Sequence, residues 1–262
     1  MSYEALTFEV RDGIGHLTLN RPKAANALNL SMAQELVEVA RRCDQDPAIR
    51  VVLLTGAGAM FCAGGDLRSF VAAEEGIPAF VQKVANTLHQ SLAIFARMDP
   101  PVIAAVNGVA AGAGLSLVCF ADIAIAAESA KFVMAYTAAG LTPDGSSTFF
   151  LPRMIGRRRT AELMLTNRRL SAAEAVEWNI VNRVVPDADL LDEAEKLAAS
   201  LAAGPTRAFG GVKKLLIESA TNDLETQLDL ETKFIVEMAG SRDGVEGMNA
   251  FLEKRKPSFT GE

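Results

Sequence analysis

Apolar and polar positions alternate from Leu6 to Val10 and again from Ile14 to Leu19, with Asp12-Gly13 between them. A period of two predicts two half-buried strands, and an Asp-Gly pair predicts a tight hairpin turn. Asn20-Arg21-Pro22 then breaks the pattern. Leu36, Val37 and Ala40 fall on one face of a helix predicted over 31–42, with Ser31 as its N-cap. The run RVVLLT at 50–55 reads as a buried strand, closed by Gly56 and Gly58.

The polar stretch 71–76, with Glu74 and Glu75, reads as a mobile loop before a long helix over 78–98. Pro100-Pro101 stops that helix. A second buried strand is expected at 102–106, a helix packed through small residues at 112–120, and a third strand at 123–127. From Thr148 onward the pattern is helical except at 180–185. Strands and helices interleave through residues 1–200, which places the chain in the α/β class. Residues 201–262 differ: 205–219, 223–238 and 243–255 are helical segments with no strand between them. They read as a helical appendage, either a lid or an oligomer contact.

Charge removes several classes of function. The chain of 262 residues has a formal net charge of −6, so a nucleic-acid footprint is not expected. Two local basic clusters, Arg157-Arg158-Arg159 and Lys254-Arg255-Lys256, are the exceptions; the first reads as a solvated helix start or subunit contact. Cys43, Cys62 and Cys119 lie far apart, and with only His16 and His89 besides they form no metal-ligand spacing, so no metal is expected. Sparse, odd cysteines fit a reducing compartment. The start, MSYEALTFEVRDG, has acids and no apolar stretch, and no apolar run reaches spanning length. A cytoplasmic protein without a membrane segment is expected.

Two glycine-rich segments follow strands, GAGAMF at 56–61 and GAGLSL at 112–117. Both miss the third small residue of a dinucleotide fingerprint, and there is no phosphate-loop lysine. Another chemistry survives. Small residues at Ala63-Gly64-Gly65-Asp66 and at Ala110-Ala111-Gly112-Ala113-Gly114 let backbone N–H groups approach a ligand unobstructed. One amide from each loop makes an oxyanion hole. The alternative is that these glycines only mark turns and close packing.

FCAGGDL at 61–67, PPVIAAVNGVAAGAGLSL at 100–117 and ADIAIAAESAKF at 121–132 together resemble the enoyl-CoA hydratase/isomerase (crotonase) family. RPKAANAL at 21–28 resembles that family's first coenzyme A loop, and 165–185 and 247–259 match its later segments. The resemblance implies a spiral of ββα units followed by helices that trimerise, often as a dimer of trimers. It implies that the Gly65 and Ala113 N–H groups form the hole. It also implies that Lys23, Ala25, Ala63, Gly64, Asp66, Leu67 and Lys254 contact coenzyme A, which enters as part of the substrate; no separate cofactor is implied.

Hydratases of the family place two glutamates around water. The matching positions here are Ser116 and Tyr136, neither of them a carboxylate. A serine is no general base at neutral pH without an activator. Asp144, in the turn GLTPDG at 140–145, matches the aspartate of the family's isomerases and aromatic dehalogenases. Locally it reads equally as a cap for the helix that begins near Ser146. NGVAAGAG, SAKFVMA at 129–135 and TQLDLE at 226–231 are most similar to the ring-1,2-epoxyphenylacetyl-CoA isomerase branch, which also shifts enoyl double bonds. Burial is expected to raise the Asp144 pKa. The resemblance leaves three alternatives: a chlorobenzoyl-CoA-type dehalogenase with His89 as its base, an enoyl-CoA hydratase, and a non-enzymatic binding protein of the same fold. Tyr136 stands where the dehalogenase has Trp, and His89 also reads as a partly exposed helix residue. The acyl pocket is expected from 71–84, Tyr136 and the C-terminal helices, with Phe70, Phe80 and Phe150 as aromatic candidates.

Overall fold

A computed structural model describes residues 3–262 of the chain. The hairpin forms as expected: β1 (Leu6–Arg11) and β2 (Ile14–Leu19) pair antiparallel. Asp12 and Gly13 both take positive φ, the geometry a two-residue turn between right-twisted strands requires. Helix α1 spans Leu30–Gln45 and starts earlier than its pattern suggests. Its N-cap is Asn29, whose side chain accepts the Met32 N–H; the Ser31 hydroxyl instead donates to Glu35.

Next come β3 (Val51–Gly56), β4 (Met60–Cys62), α2 (Leu67–Val71) and α3 (Ile77–Arg97). β5 (Val102–Val106), β6 (Val109–Ala111) and α4 (Ala113–Phe120) follow, then β7 (Ile123–Ala127), β8 (Lys131–Val133) and α5 (Ser147–Thr166). The remainder is β9 (Leu170–Ser171), α6 (Ala172–Glu177), β10 (Arg183–Val185), α7 (Leu190–Ala202), α8 (Thr206–Glu218), α9 (Leu224–Ala239) and α10 (Arg242–Leu252). The strand expected at 180–185 is thus reduced to its last three residues.

Each of the long strands β3, β5 and β7 is followed by a three-residue strand, and the short partners β4, β6 and β8 pair in a sheet of their own. The larger sheet has the order β1-β2-β3-β5-β7-β10 and is parallel from β2 onward. The smaller has the order β4-β6-β8-β9, with β4, β6 and β8 parallel. Three successive ββα units, β3-β4, β5-β6 and β7-β8 with their helices, therefore stack as turns of a spiral. This is a crotonase-type α/β fold.

The larger sheet is covered on both faces, which explains its unbroken apolar strands. Alternate residues Val51, Leu53, Ile103 and Ile125 pack on Ala194 and Ala198 of α7, while Val52, Leu54, Val102 and Ala104 face the main core. All eight residues of α4 are buried, so this helix runs through the interior with no polar face. The three cysteines are buried and unpaired. No helix is long and apolar enough to cross a membrane among the described residues.

Candidate active site

The small sheet positions the site. Its strands β4, β6 and β8 are parallel neighbours, so their carboxyl ends share one edge. The chain leaves that edge as three loops: Ala63-Gly64-Gly65, Gly112-Ala113 and Met134-Ala135-Tyr136. All three contribute to the wall of one cavity of about 310 Å³. Leu28, Phe70, Val84 and Leu88 supply apolar wall, and Asp144 is its one ionisable carboxylate.

The two glycine loops touch. Gly64 has φ +97°, and a Cβ built on it would lie 2.9 Å from the Ala111 carbonyl oxygen and 3.4 Å from the Ala113 nitrogen. Only glycine permits both the left-handed backbone and this approach. Ala113 is the first residue of α4, after Gly112, so its N–H is one a helix leaves unbonded. Among the described residues neither the Gly65 N–H nor the Ala113 N–H has a protein acceptor, although the flanking amides of Gly64, Asp66 and Gly112 are engaged. Two free donors thus border an apolar cavity, one at the positive end of a helix.

Asp144 does not cap α5. The Ser146 N-cap position has no side-chain cap bond, and it is the Asp144 carbonyl that accepts from the Ser147 N–H and hydroxyl, at 3.3 and 2.9 Å. The carboxylate turns the other way. Its Oδ1 accepts the Tyr136 hydroxyl at 2.7 Å, and its Oδ2 lies 3.4 Å from His89 Nε2. His89 Nε2 also faces the Gly145 N–H, which donates to it at 3.2 Å. Gly145 fits beneath only because it lacks a side chain: a Cβ there would lie 3.0 Å from the Ser116 Cβ.

The expected upward shift of Asp144 is reversed. Burial does raise its pKa, and is the largest single influence, but the hydrogen bonds from His89 and Tyr136, with the His89 charge, together outweigh it. The carboxyl is held below its ordinary value. For His89 the Asp144 hydrogen bond prevails over burial and raises the imidazole above its ordinary value. Burial first, then the Asp144 charge, push the Tyr136 phenol up, so it stays a donor.

Ser116 is fully buried and does not line the cavity. Its hydroxyl lies 3.0 Å from both the Tyr136 hydroxyl and the Asp144 carbonyl oxygen. The two positions where hydratases carry glutamates therefore hold residues that fix the Asp144 loop.

Of the residues implied in coenzyme A binding, Ala63, Gly64 and Leu67 line the cavity. Lys23 lies in a short 3-10 turn, Pro22–Ala24, followed by Ala25 and Asn26 in left-handed conformation. Both Asp66 carboxylate oxygens are engaged: one accepts the Ser69 N–H as the cap of α2, and the other pairs with Arg21 at 2.9 Å. Asn26 was not singled out by sequence, yet it is completely buried. Its amide donates to the carbonyls of Ala57, Met60 and Phe61, so it staples the 21–28 loop to β4. A lone Asn in the small apolar run RPKAANAL, able to adopt positive φ, was the available signal. Lys254 is exposed beyond α10 and away from the cavity, and its neighbour Arg255 is held by Glu246 and Glu253.

The C-terminal helices supply none of the cavity wall within one chain, contrary to expectation. Phe70 lines the cavity and meets Phe80 edge-on at 6.1 Å, whereas Phe150 lies on a different cavity. Among the described residues no group of three His, Cys, Asp or Glu side chains is placed to hold a metal.

The family model for enoyl-CoA hydratase/isomerase matches residues 9–262. The chain belongs to the enoyl-CoA hydratase/isomerase family. The chain is 44% identical to the 1,2-epoxyphenylacetyl-CoA isomerase of Escherichia coli K12, over 99% of each. It is 34% identical to a 4-chlorobenzoyl coenzyme A dehalogenase of an Arthrobacter species, over 97% of this chain and 92% of that one. A crystal structure of an enoyl-CoA hydratase from Polaromonas sp. JS666 superposes with a TM-score of 0.93 at 36% identity, covering 98% of this chain and all of the other. Proteins named for three different activities are thus similar to it over more than nine-tenths of each chain.

Proposed function

We propose that the protein is an acyl-CoA isomerase, shifting a double bond or rearranging a ring-1,2-epoxyphenylacetyl thioester by proton transfer. One observation carries this reading: two unpartnered amides and one ionised carboxylate open onto the same apolar cavity, while both hydratase glutamate positions hold non-carboxylates. The thioester oxygen accepts from Gly65 and Ala113, which stabilises the enolate and makes the neighbouring C–H acidic. Asp144, kept ionised by His89 and Tyr136, takes the proton at one carbon and returns it at another. The similarity to the Escherichia coli isomerase supports the same choice.

Coenzyme A lies across the 21–28 and 63–67 loops, with Lys23, Ala25, Ala63, Gly64, Asp66 and Leu67 in contact through backbone or aliphatic atoms. No cofactor beyond this substrate is called for by the chemistry. Helix α9 carries no buried residue, and Leu224, Leu228, Ile235 and Val236 on it are exposed, as are Phe251 and Leu252 beyond. An apolar face of that extent fits an assembly of three or six copies, which also brings a neighbour's Lys254 toward the nucleotide phosphates. Light scattering giving a single-chain mass contradicts this assembly. Buried, unpaired cysteines fit a cytoplasmic setting.

A dehalogenase is the second reading, favoured by the His89–Asp144 contact. The deciding experiment is a panel of 3-enoyl-, 2-enoyl-, epoxyphenylacetyl- and 4-chlorobenzoyl-CoA, assayed for isomerisation, hydration and halide. Isomerisation without halide supports the proposal; halide release from the chloro thioester replaces it.

A further inference from the structure

A second cavity, of about 300 Å³, lies on the other side of the Asp144–His89 pair. His89, Ser146, Phe149 and Phe150 line it, with Leu92, Ala93 and Ala96 along α3. Asp144 borders the acyl cavity and not this one, whereas His89 borders this one and not the acyl cavity. The two side chains, 3.4 Å apart, are therefore the partition between the cavities.

His89 Nε2 is provided with a partner in either protonation state. Protonated, it donates to Asp144 Oδ2; deprotonated, it accepts the Gly145 N–H at 3.2 Å. A structural ion pair needs only the first of these. The imidazole side chain is 45% exposed, and its Nδ1 has no protein partner among the described residues. Ser146 adds a second sign of use: its hydroxyl is buried without a partner, and its φ of +67° is strained for a residue with a side chain. An unpartnered hydroxyl in a small cavity is a place for water.

We propose that His89 is a proton relay linking Asp144 to water in this second cavity, so that the proton lifted from the substrate exchanges with solvent during turnover. The inference rests on the isomerase reading and goes beyond it. In the first step, with His89 neutral, its proton on Nδ1 and its Nε2 accepting the Gly145 N–H, the substrate C–H proton passes to the Asp144 carboxylate, and its bonding pair stays on the enolate carbon. The carboxyl proton then moves to His89 Nε2, leaving the carboxylate ionised. The imidazolium releases its Nδ1 proton to water, and the reverse sequence delivers a solvent proton to the product carbon. No electrons are transferred.

Isomerisation of a 3-enoyl-CoA in D2O tests this, with deuterium per product molecule read by mass spectrometry at low conversion. The wild-type product carries solvent deuterium. His89→Gln lowers the deuterium per product roughly threefold or more, whatever it does to the rate. Ala93→Phe, at an exposed helix position that fills the second cavity, lowers it in the same direction while leaving both Asp144 and His89 in place. Equal deuterium content in wild type and both variants overturns the relay and leaves the isomerase reading standing. If wild type neither isomerises the thioester nor washes deuterium into the α-carbon of phenylacetyl-CoA, both readings fall together.

Discussion

The Tyr136 hydroxyl donates to Asp144 Oδ1 at 2.7 Å, from the position where hydratases of the family carry a glutamate. That hydrogen bond stabilises the ionised carboxylate, the form a proton acceptor needs.

Tyr136→Phe removes that bond and spares the ring. Tyr136 and His89 both lower the Asp144 pKa, so losing one of them lets burial raise it. Activity requiring the carboxylate is lost as pH falls through the pKa of Asp144. The acid limb of kcat against pH therefore moves upward. A limb that stays in place or moves down counts against the assignment.

The oxyanion amide at Ala113 is open to direct deletion. Ala113 is the first residue of α4, a position that suits proline, and its N–H bonds to no protein group. Ala113→Pro is expected to lower kcat by about 10²-fold or more while the melting temperature changes little. Near-normal turnover with an unchanged melt removes the amide from the mechanism.

A buried ion pair anchors α8. The Lys213 ammonium, 6% exposed, donates to the Phe95 and Pro100 carbonyls and pairs with Asp122 at 3.0 Å. Burial pushes the Lys213 pKa down and the Asp122 pKa up, against their mutual attraction. Lys213→Met leaves Asp122 without its cation and is expected to cost about 3–5 kcal/mol in denaturant unfolding. Adding Asp122→Asn recovers much of that loss; no recovery means that the packing of Lys213, rather than its charge, is what matters.

The long elements were legible because their periodicity is local. β1, β2, β3, β5 and β7 and the helices α1, α3 and α4 are all visible in the alternation of apolar and polar residues. The small sheet was not. β4, β6 and β8 are three residues each, too short to show a period, and Met60-Phe61-Cys62 merges with the glycines around it. The N-cap of α1 was misplaced because Asn29 and Ser31 are both capping residues, and only the fold decides which side chain reaches the Met32 N–H. Gly65, Ala113 and Asp144, which the motifs singled out, line one cavity. The direction of the Asp144 shift was not legible, since it depends on His89, which α3 brings in from far along the chain. Burial is suggested by a sequence; the hydrogen bonds that outweigh it are set by tertiary packing.

The central claim is that Asp144 carries the proton while the two amides hold the thioester. Asp144→Asn keeps the size and most of the hydrogen bonding of the side chain but removes the base. Single-turnover isomerisation of a 3-enoyl-CoA, measured beside acyl-CoA affinity by calorimetry, reads both halves at once. The account predicts a rate lower by roughly 10²-fold or more with affinity within a few-fold of wild type. Isomerisation at close to the wild-type rate in Asp144→Asn contradicts it.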